Sequence, residues 1–573
     1  MKQEKRNCQN CKGEFIVEDE DFQFYKKIEV PPPTFCPDCR IQRRLSYKNE
    51  RTLYRRTCDK CKKNIISIFP TDVKFPVYCP QCWYADDWGA EEYGMEYDSS
   101  KTFFVQFKEL MDRVPRMSVY IDLGRTINSE YLHLTGPAKD CYLVFLADQN
   151  ENCMYSYSIF YNKDLVDATK VSSTTRGYEL INCENCYQTT YSSDCKNCVD
   201  TAFSKNCNNC TNCFGCVNLS NKKFCFFNEQ LSEAEYKVRT SEFFSGSFVK
   251  TIEAEKRSAE FFKDFPVKYM HGNMNTNVSG DYIFQSKNVK NSFQVVGGTD
   301  NKYCQTLNME PTSDSYDYSD WGNNATLMYD SVNCGEYITR TKFTYGAWLG
   351  GDYEYCDVCI DSHNLFGCIM LKKKKYCILN RQYTKEEYEK LRAEIIKEMN
   401  ERPYKDVKGR IYSYGEFFPS ELSPYPYKDT AAFEYFPLTD NEIKNNGYVW
   451  REEDVREYMP TMKWSDLPDN INDVSDDILK EIIECAHTKD GCNDRCATAF
   501  RITPQELQFY KIMKLPLPRF CYNCRHYRRF RAMNPWKLWK RNCAKCGAQI
   551  ETSYSPERGE TIYCEPCYQK EVI

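Results

Sequence analysis

Eight close cysteine pairs, four near each end of this chain and separated by matching gaps, restrict its fold more than any other feature. The first set is Cys8/Cys11, Cys36/Cys39, Cys58/Cys61 and Cys79/Cys82; the second is Cys492/Cys496, Cys521/Cys524, Cys543/Cys546 and Cys564/Cys567. Successive pairs are separated by 24, 18 and 17 residues in both sets. The flanks match as well. "FQFYKKIEVPPPTFCPDCRIQRRL" (22–45) and "LQFYKIMKLPLPRFCYNCRHYRRF" (507–530) are identical at 12 of 24 positions. A module of about 75–80 residues therefore stands at both ends, too small to rely on a hydrophobic core alone.

The compartment decides what these sulfurs do. The chain has no apolar run near the roughly 20 residues that span a bilayer, and "MKQEKRNCQN" lacks the apolar core of a secretory signal. The expected location is cytoplasmic. In a reducing compartment 34 cysteines imply metal ligands or buried thiols rather than disulfides. Zinc prefers four tetrahedral ligands, and all-thiolate shells are closed and structural. The sixteen cysteines named above are the expected ligands of about four zinc ions, with adjacent pairs sharing an ion; spacing alone also permits interleaved pairing. "CPDCRIQRR" and "CYNCRHYRR" read as helix starts, whose dipole helps to keep thiolates ionised. Phe24, Tyr25, Phe509 and Tyr510 read as module core packed over the first zinc site.

Residues 8–44, "CQNCKGEF…FQFYKK…PPPTFCPDCRIQRR", resemble the bacterial "probable zinc-binding domain" family of treble-clef and zinc-ribbon type. Residues 492–529 resemble it more loosely. The resemblance implies zinc binding and no established activity. Cys492/Cys496 departs from the pattern with three intervening residues, and Cys485 and His487 stand nearby as rival ligands.

Between the zinc pairs the chain is basic. Residues 36–63 carry ten Lys/Arg and three Asp/Glu, and residues 521–547 carry eight Lys/Arg and no acid. Arg40, Arg43 and Arg44, like Arg525, Arg528 and Arg529, fall at i, i+3, i+4 on one helix face. With Arg55, Arg56, Arg531, Lys540 and Arg541 they are the expected nucleic-acid contacts, because arginine among aromatics suits phosphates and unstacked bases. The competing readings are a protein contact or a solvated face. Residues 466–484 hold seven acids and one lysine, an acidic connector able to dock on a basic module.

The middle repeats on a shorter scale. Cys183, Cys195 and Cys207 are 12 apart, as are Cys186, Cys198 and Cys210, with Asn recurring between them. Segments such as "YQTTYSS" and "VDTAFSK" favour strands. A short fixed period with strand composition implies a parallel β-helix-like solenoid, each 12-residue unit being one narrow turn or half of a wider one. "FGCVNLSNKKFCFFNEQLSEAEY" (214–236) aligns without a gap on "FGCIMLKKKKYCILNRQYTKEEY" (366–388), so the solenoid is itself duplicated. Each copy ends in a capping box, Ser232/Glu235 and Thr384/Glu387, ahead of a helix. The central cysteines read as inward thiol ladders, and Asp314, Asp317 and Asp320 as a solvated turn.

The expected fold is mainly β with α segments: a duplicated β-solenoid flanked by two double treble-clef modules. The expected division is 1–95 (zinc module), 96–130 (linker), 131–270 and 271–410 (solenoid segments with capping helices), 411–484 (acidic connector) and 485–573 (zinc module). No P-loop, dinucleotide fingerprint, HExxH or nucleophile elbow is present. The expected function is a non-enzymatic zinc scaffold that binds nucleic acid or a nucleoprotein. A protein-interaction scaffold and a carbohydrate-active enzyme on a β-helix face are the alternatives.

Overall fold

The structure, a computed structural model, describes residues 3–572 apart from 454–457, 488–491 and 493. Two parallel β-solenoids form its body. The first runs from Thr126 to Gln230 in a 13-stranded sheet, and the second from Gly272 to Gln382 in a 12-stranded one. Register settles the repeat. Tyr142 pairs with Met154, Val166 with Tyr178 and Thr201 with Cys213, so 12 residues make one complete turn of the first solenoid; the second widens in its middle, where Gly298 pairs with Thr312 and Tyr316 with Tyr329.

Each turn divides into four three-residue sides. In the first solenoid every third residue points inward, as with Cys183, Cys186, Thr189, Ser192, Cys195 and Cys198, which are all buried. The residue preceding each inward one is left-handed: Asn182, Asn185, Asn197, Asn206 and Asn209 lie at φ 51–53°. Asn adopts that region at less cost than most residues, and its amide bonds the next turn, Asn206 to Asn218 at 2.8 Å. A 12-residue circumference keeps the interior narrow; Ile159, Leu165, Val171 and Leu180 fill part of it, and Cys, Ser and Thr much of the rest. Their polar hydrogens meet backbone carbonyls; Cys195 Sγ lies 3.4 Å from Ser193 O, and Ser204 Oγ donates to Ala202 O at 2.9 Å. Burial pushes the Cys304 and Cys334 thiols up to about 12 and keeps them neutral.

Both solenoids end alike. A final antiparallel pair (Lys223–Phe226 with Glu229–Gln230; Lys375–Ile378 with Arg381–Gln382) turns into a helix capped by Ser232/Glu235 or Thr384/Glu387. These ends cover an otherwise unpaired sheet edge.

Segments expected to connect instead contribute core. Within 96–130, the helix Phe103–Met111 packs Phe103 on Tyr355 and Phe366 of the second solenoid. Within 411–484, Phe417 and Phe418 enclose Tyr47, and Ile471, Val474 and Ile478 join a cluster with Leu507 and Leu515. Net charge marked this stretch as a connector because its apolar residues are spaced irregularly, without a helical or strand period.

His133 and His526 are buried and uncharged at neutral pH. Burial pushes His133 down to about 3, and burial together with the Arg51 charge pushes His526 down to about 4. Between those values and the ordinary 6.5, the unfolded chain binds protons that the folded chain refuses. Stability therefore falls as pH drops below 6.5, by on the order of 3 kcal/mol per histidine at pH 4. Urea unfolding at pH 7 and pH 5 should show this loss, and His133→Gln should reduce the difference between the two pH values.

Candidate metal centres and the cleft between the solenoids

Each module contains two hairpin-and-helix units. Hairpins Glu4–Asn7/Glu14–Val17, Tyr54–Thr57/Asn64–Ser67 and Trp539–Asn542/Gln549–Thr552 each carry one cysteine pair in the turn. The partner pair opens a helix, with Cys36, Cys79 and Cys521 as the residues that begin Pro37–Leu45, Pro80–Tyr84 and Tyr522–Ala532. Adjacent pairs are thereby brought together. Four quartets could each hold a metal ion: Cys8/Cys11/Cys36/Cys39, Cys58/Cys61/Cys79/Cys82, Cys485/Cys496/Cys521/Cys524 and Cys543/Cys546/Cys564/Cys567. Sulfurs about 2.3 Å from a tetrahedral zinc stand about 3.8 Å apart. The separations here match: Cys11–Cys36 3.7 Å, Cys61–Cys79 3.9 Å, Cys496–Cys521 3.9 Å and Cys546–Cys564 3.6 Å. Backbone N–H groups aim at the sulfurs, Cys79 N at Cys58 Sγ and Cys564 N at Cys543 Sγ, both 3.3 Å. Hydrogen bonding led by the Lys63 backbone holds the Cys61 thiol down to about 7.

The third quartet takes Cys485 where the cysteine spacing had pointed to Cys492. Cys485 directly follows the strand Ile483–Glu484, just as Cys8 follows Asn7 and Cys58 follows Thr57. That strand-then-cysteine order was the available signal. Cys492 instead lies 3.0 Å from His487 Nδ1 and 4.0 Å from Cys524 Sγ, in a second group with Asp494 that shares Cys524. No central cysteine joins a metal-ligand group among the described residues.

The arginines expected to contact nucleic acid are mostly enclosed. In the N-terminal module Arg40 meets Asp317 at 2.8 Å, Arg44 meets Asp330 at 2.8 Å and Asp317 at 3.3 Å, and Arg43 meets Glu416 at 3.0 Å. In the C-terminal module Arg529 meets Asp167 at 2.9 Å, Arg525 pairs with the same carboxylate, and Arg528 meets Glu179 at 2.9 Å. Arg40, Arg43, Arg44, Arg525 and Arg529 are 0–3% exposed, which removes them from any outside partner. Asp317 and Asp320 are likewise buried rather than on a solvated turn. Arg56 and Arg541 bond backbone carbonyls, and Arg531 pairs with Asp494. Arg55 and Lys540 stay exposed.

The docking is crossed: the N-terminal module sits on the second solenoid and the C-terminal module on the first. Their aromatics follow the same rule. Phe24 stacks on Tyr316 at 3.9 Å and Tyr510 meets Tyr178 at 5.7 Å, so they pack on the solenoids rather than over the metal site. The outer units add short parallel pairings, Val77–Tyr78 with Arg116–Met117 and Ile562–Tyr563 with Val267–Lys268.

Between the solenoids lies a cleft of about 1880 Å³. One wall is a ladder of left-handed residues, Ser158, Lys170, Asn182, Asp194, Asn206 and Asn218. The other presents Tyr282, Gln294, Thr306, Trp321, Asn333 and Trp348. The Tyr282 hydroxyl donates to Asp194 at 2.6 Å and joins the walls. Asp320 through Asn324 are all left-handed, and Trp321 at φ 91° occupies a region costly for a bulky residue. Its ring stands 6.0 Å from that of Trp348. Seven Lys/Arg and eight Asp/Glu line the cleft, so its charge is nearly balanced. No helix among the described residues is long and apolar enough to cross a membrane.

No known protein family matches the chain, and no curated protein matches it. Among solved structures there is a likeness to a protein from Desulfovibrio desulfuricans G20, described only provisionally as an acetyltransferase. It has 9% identity over 50% of this chain and 73% of that one, with a TM-score of 0.09. A score that low carries no argument about fold or function.

Two measurements test this assignment of roles. Metal analysis of the purified chain should find about four ions; Cys485→Ser should lose one, and Cys492→Ser should keep all four. Asp167→Ala removes the carboxylate shared by two buried guanidinium groups, leaving Arg525 with the Glu506 carboxylate at 3.5 Å and Arg529 with that of Glu179 at 3.4 Å, and should cost about 3 kcal/mol in urea unfolding, whereas Lys540→Ala should change stability by less than about 0.5 kcal/mol.

Proposed function

We propose that this protein is a cytoplasmic binding scaffold in which zinc-stapled modules clamp two solenoids around a ligand cleft. Zinc is the ion favoured by all-thiolate donors, and the motif resemblance to zinc-binding domains points the same way. The ions are structural: the first quartet of each module orients a helix whose arginines grip a solenoid. The ligand is a polar, largely uncharged chain of saccharide type. The observation that carries this reading is the cleft itself, where amide and hydroxyl ladders face two tryptophans with balanced charge. Successive rungs recur at the strand spacing of about 4.8 Å, close to the length of one sugar unit. Few, oriented polar groups beside aromatic surface make a ligand site rather than a packing defect.

A nucleic-acid or nucleoprotein partner is the second reading, resting on exposed Arg55 and Lys540 of the outer units. The two readings separate by salt. Full-length, metal-loaded protein titrated with a panel of neutral oligosaccharides should bind at least one of them saturably. Affinity should change little between 50 and 200 mM salt and fall about 10-fold or more in Trp321→Ala/Trp348→Ala. Nucleic-acid binding that weakens steeply with salt, with no saccharide bound, would overturn the proposal.

A further inference from the structure

The lysines of the cleft are not equivalent. Lys196 pairs with Glu184 at 2.7 Å, Lys268 with Glu565 at 2.7 Å and Lys263 with Glu260 at 2.6 Å. Lys170 has no carboxylate within ion-pair distance among the described residues, and its Nζ stands 5.6 Å from the centre of the Trp536 ring. That ring is itself held in a stack on Tyr435 at 3.7 Å. Lys170 occupies a left-handed corner of the ladder, half-buried and lining the cleft.

We propose that Lys170 is a reactive amine that captures an aldehyde-bearing ligand, such as the open form of a reducing sugar, as an imine in the cleft. The proposal rests on the cleft reading above and adds the chemical class that one end of the ligand must carry. The surroundings suit the step. Burial pushes the Lys170 amine down to about 7, so a large fraction is neutral and nucleophilic near neutral pH. Four charged groups from the packed elements act on it: Asp320 of the second solenoid, Glu50 and Lys48 of the N-terminal module, and Glu434 of the helix Ala431–Tyr435. The three acids favour the charged form and Lys48 opposes it, while Lys48 holds Asp320 at 2.8 Å. The Nζ lone pair attacks the carbonyl carbon, and the carbonyl π pair moves to oxygen. A proton passes from nitrogen to that oxygen; the carbinolamine then loses water as the C=N bond forms. Nothing is oxidised or reduced.

The probe is glyceraldehyde, the smallest aldose, added with cyanoborohydride to the full-length, metal-loaded protein and followed by peptide mass mapping. Cyanoborohydride supplies the hydride that fixes the imine as a stable amine. At pH 7 Lys170 should label about 10-fold or more faster than Lys205, another lysine of the same cleft. The labelling rate should rise to half its maximum near pH 7, and Lys170→Arg should abolish that label while retaining the positive charge. Lys170 labelling no faster than Lys205, with oligosaccharide binding intact, overturns this inference alone. Loss of both the label and oligosaccharide binding overturns the cleft reading as well.

Discussion

Two buried carboxylates, Asp167 and Asp317, hold the architecture together, because each accepts two arginines from a helix that starts at a cysteine quartet. Arg525 and Arg529 converge on Asp167, and Arg40 and Arg44 on Asp317. Buried ion pairs add little net stability, since desolvation offsets most of the attraction. Their effect is on specificity: any other docking register leaves a charge buried without a partner. The metal quartets complement this. Fixing Cys36 and Cys521 at the start of each helix sets where arginines four to eight residues later can reach.

The crossed docking turns two duplications into one assembly. Each module reaches the solenoid that is not its nearest neighbour in sequence, so each end of the chain closes over the other half. Arg116, between the first module and the first solenoid, forks onto Asp357 of the second at 3.2 and 2.6 Å. The cleft is what remains between two periodic walls that clamps hold apart. The narrow solenoid interiors are packed with side chains, Cys and Ala beside Leu165, Val171 and Leu180, and the cleft lies on the outer faces.

Much of this was legible from residues. The matched gaps located the paired metal units, and the 12-residue interval located the turns. The recurrence of Asn was legible too, but that Asn182, Asn185 and Asn197 sit at left-handed corners, which Asn tolerates, came from the backbone itself. The S/T-x-x-E boxes marked both capping helices. The arginine face was legible as a face, but its occupant was not. An i, i+3, i+4 row of arginines looks the same whether it meets phosphate or buried aspartate, and Asp167 lies some 360 residues from Arg525. Cys485 stood only as a rival to Cys492 for a local reason: the gap to Cys521 favoured Cys492/Cys496 as the pair, while the ligand position depends on where the hairpin strand ends.

The sequence by itself determined the local matters: two sets of paired cysteines suited to shared ions, a 12-residue repeat period, where the solenoid ends are capped, and that both elements are duplicated. These follow from ligand number, backbone conformation and side-chain period, all encoded within a few tens of residues. Only the tertiary structure decided that the modules cross, that the basic helices face inward, and that a balanced polar cleft lies between the solenoids. Those outcomes depend on charge pairing and burial between segments hundreds of residues apart. Whether an arginine is solvated or buried against a carboxylate is a property of the assembled surface, not of its neighbours in the chain.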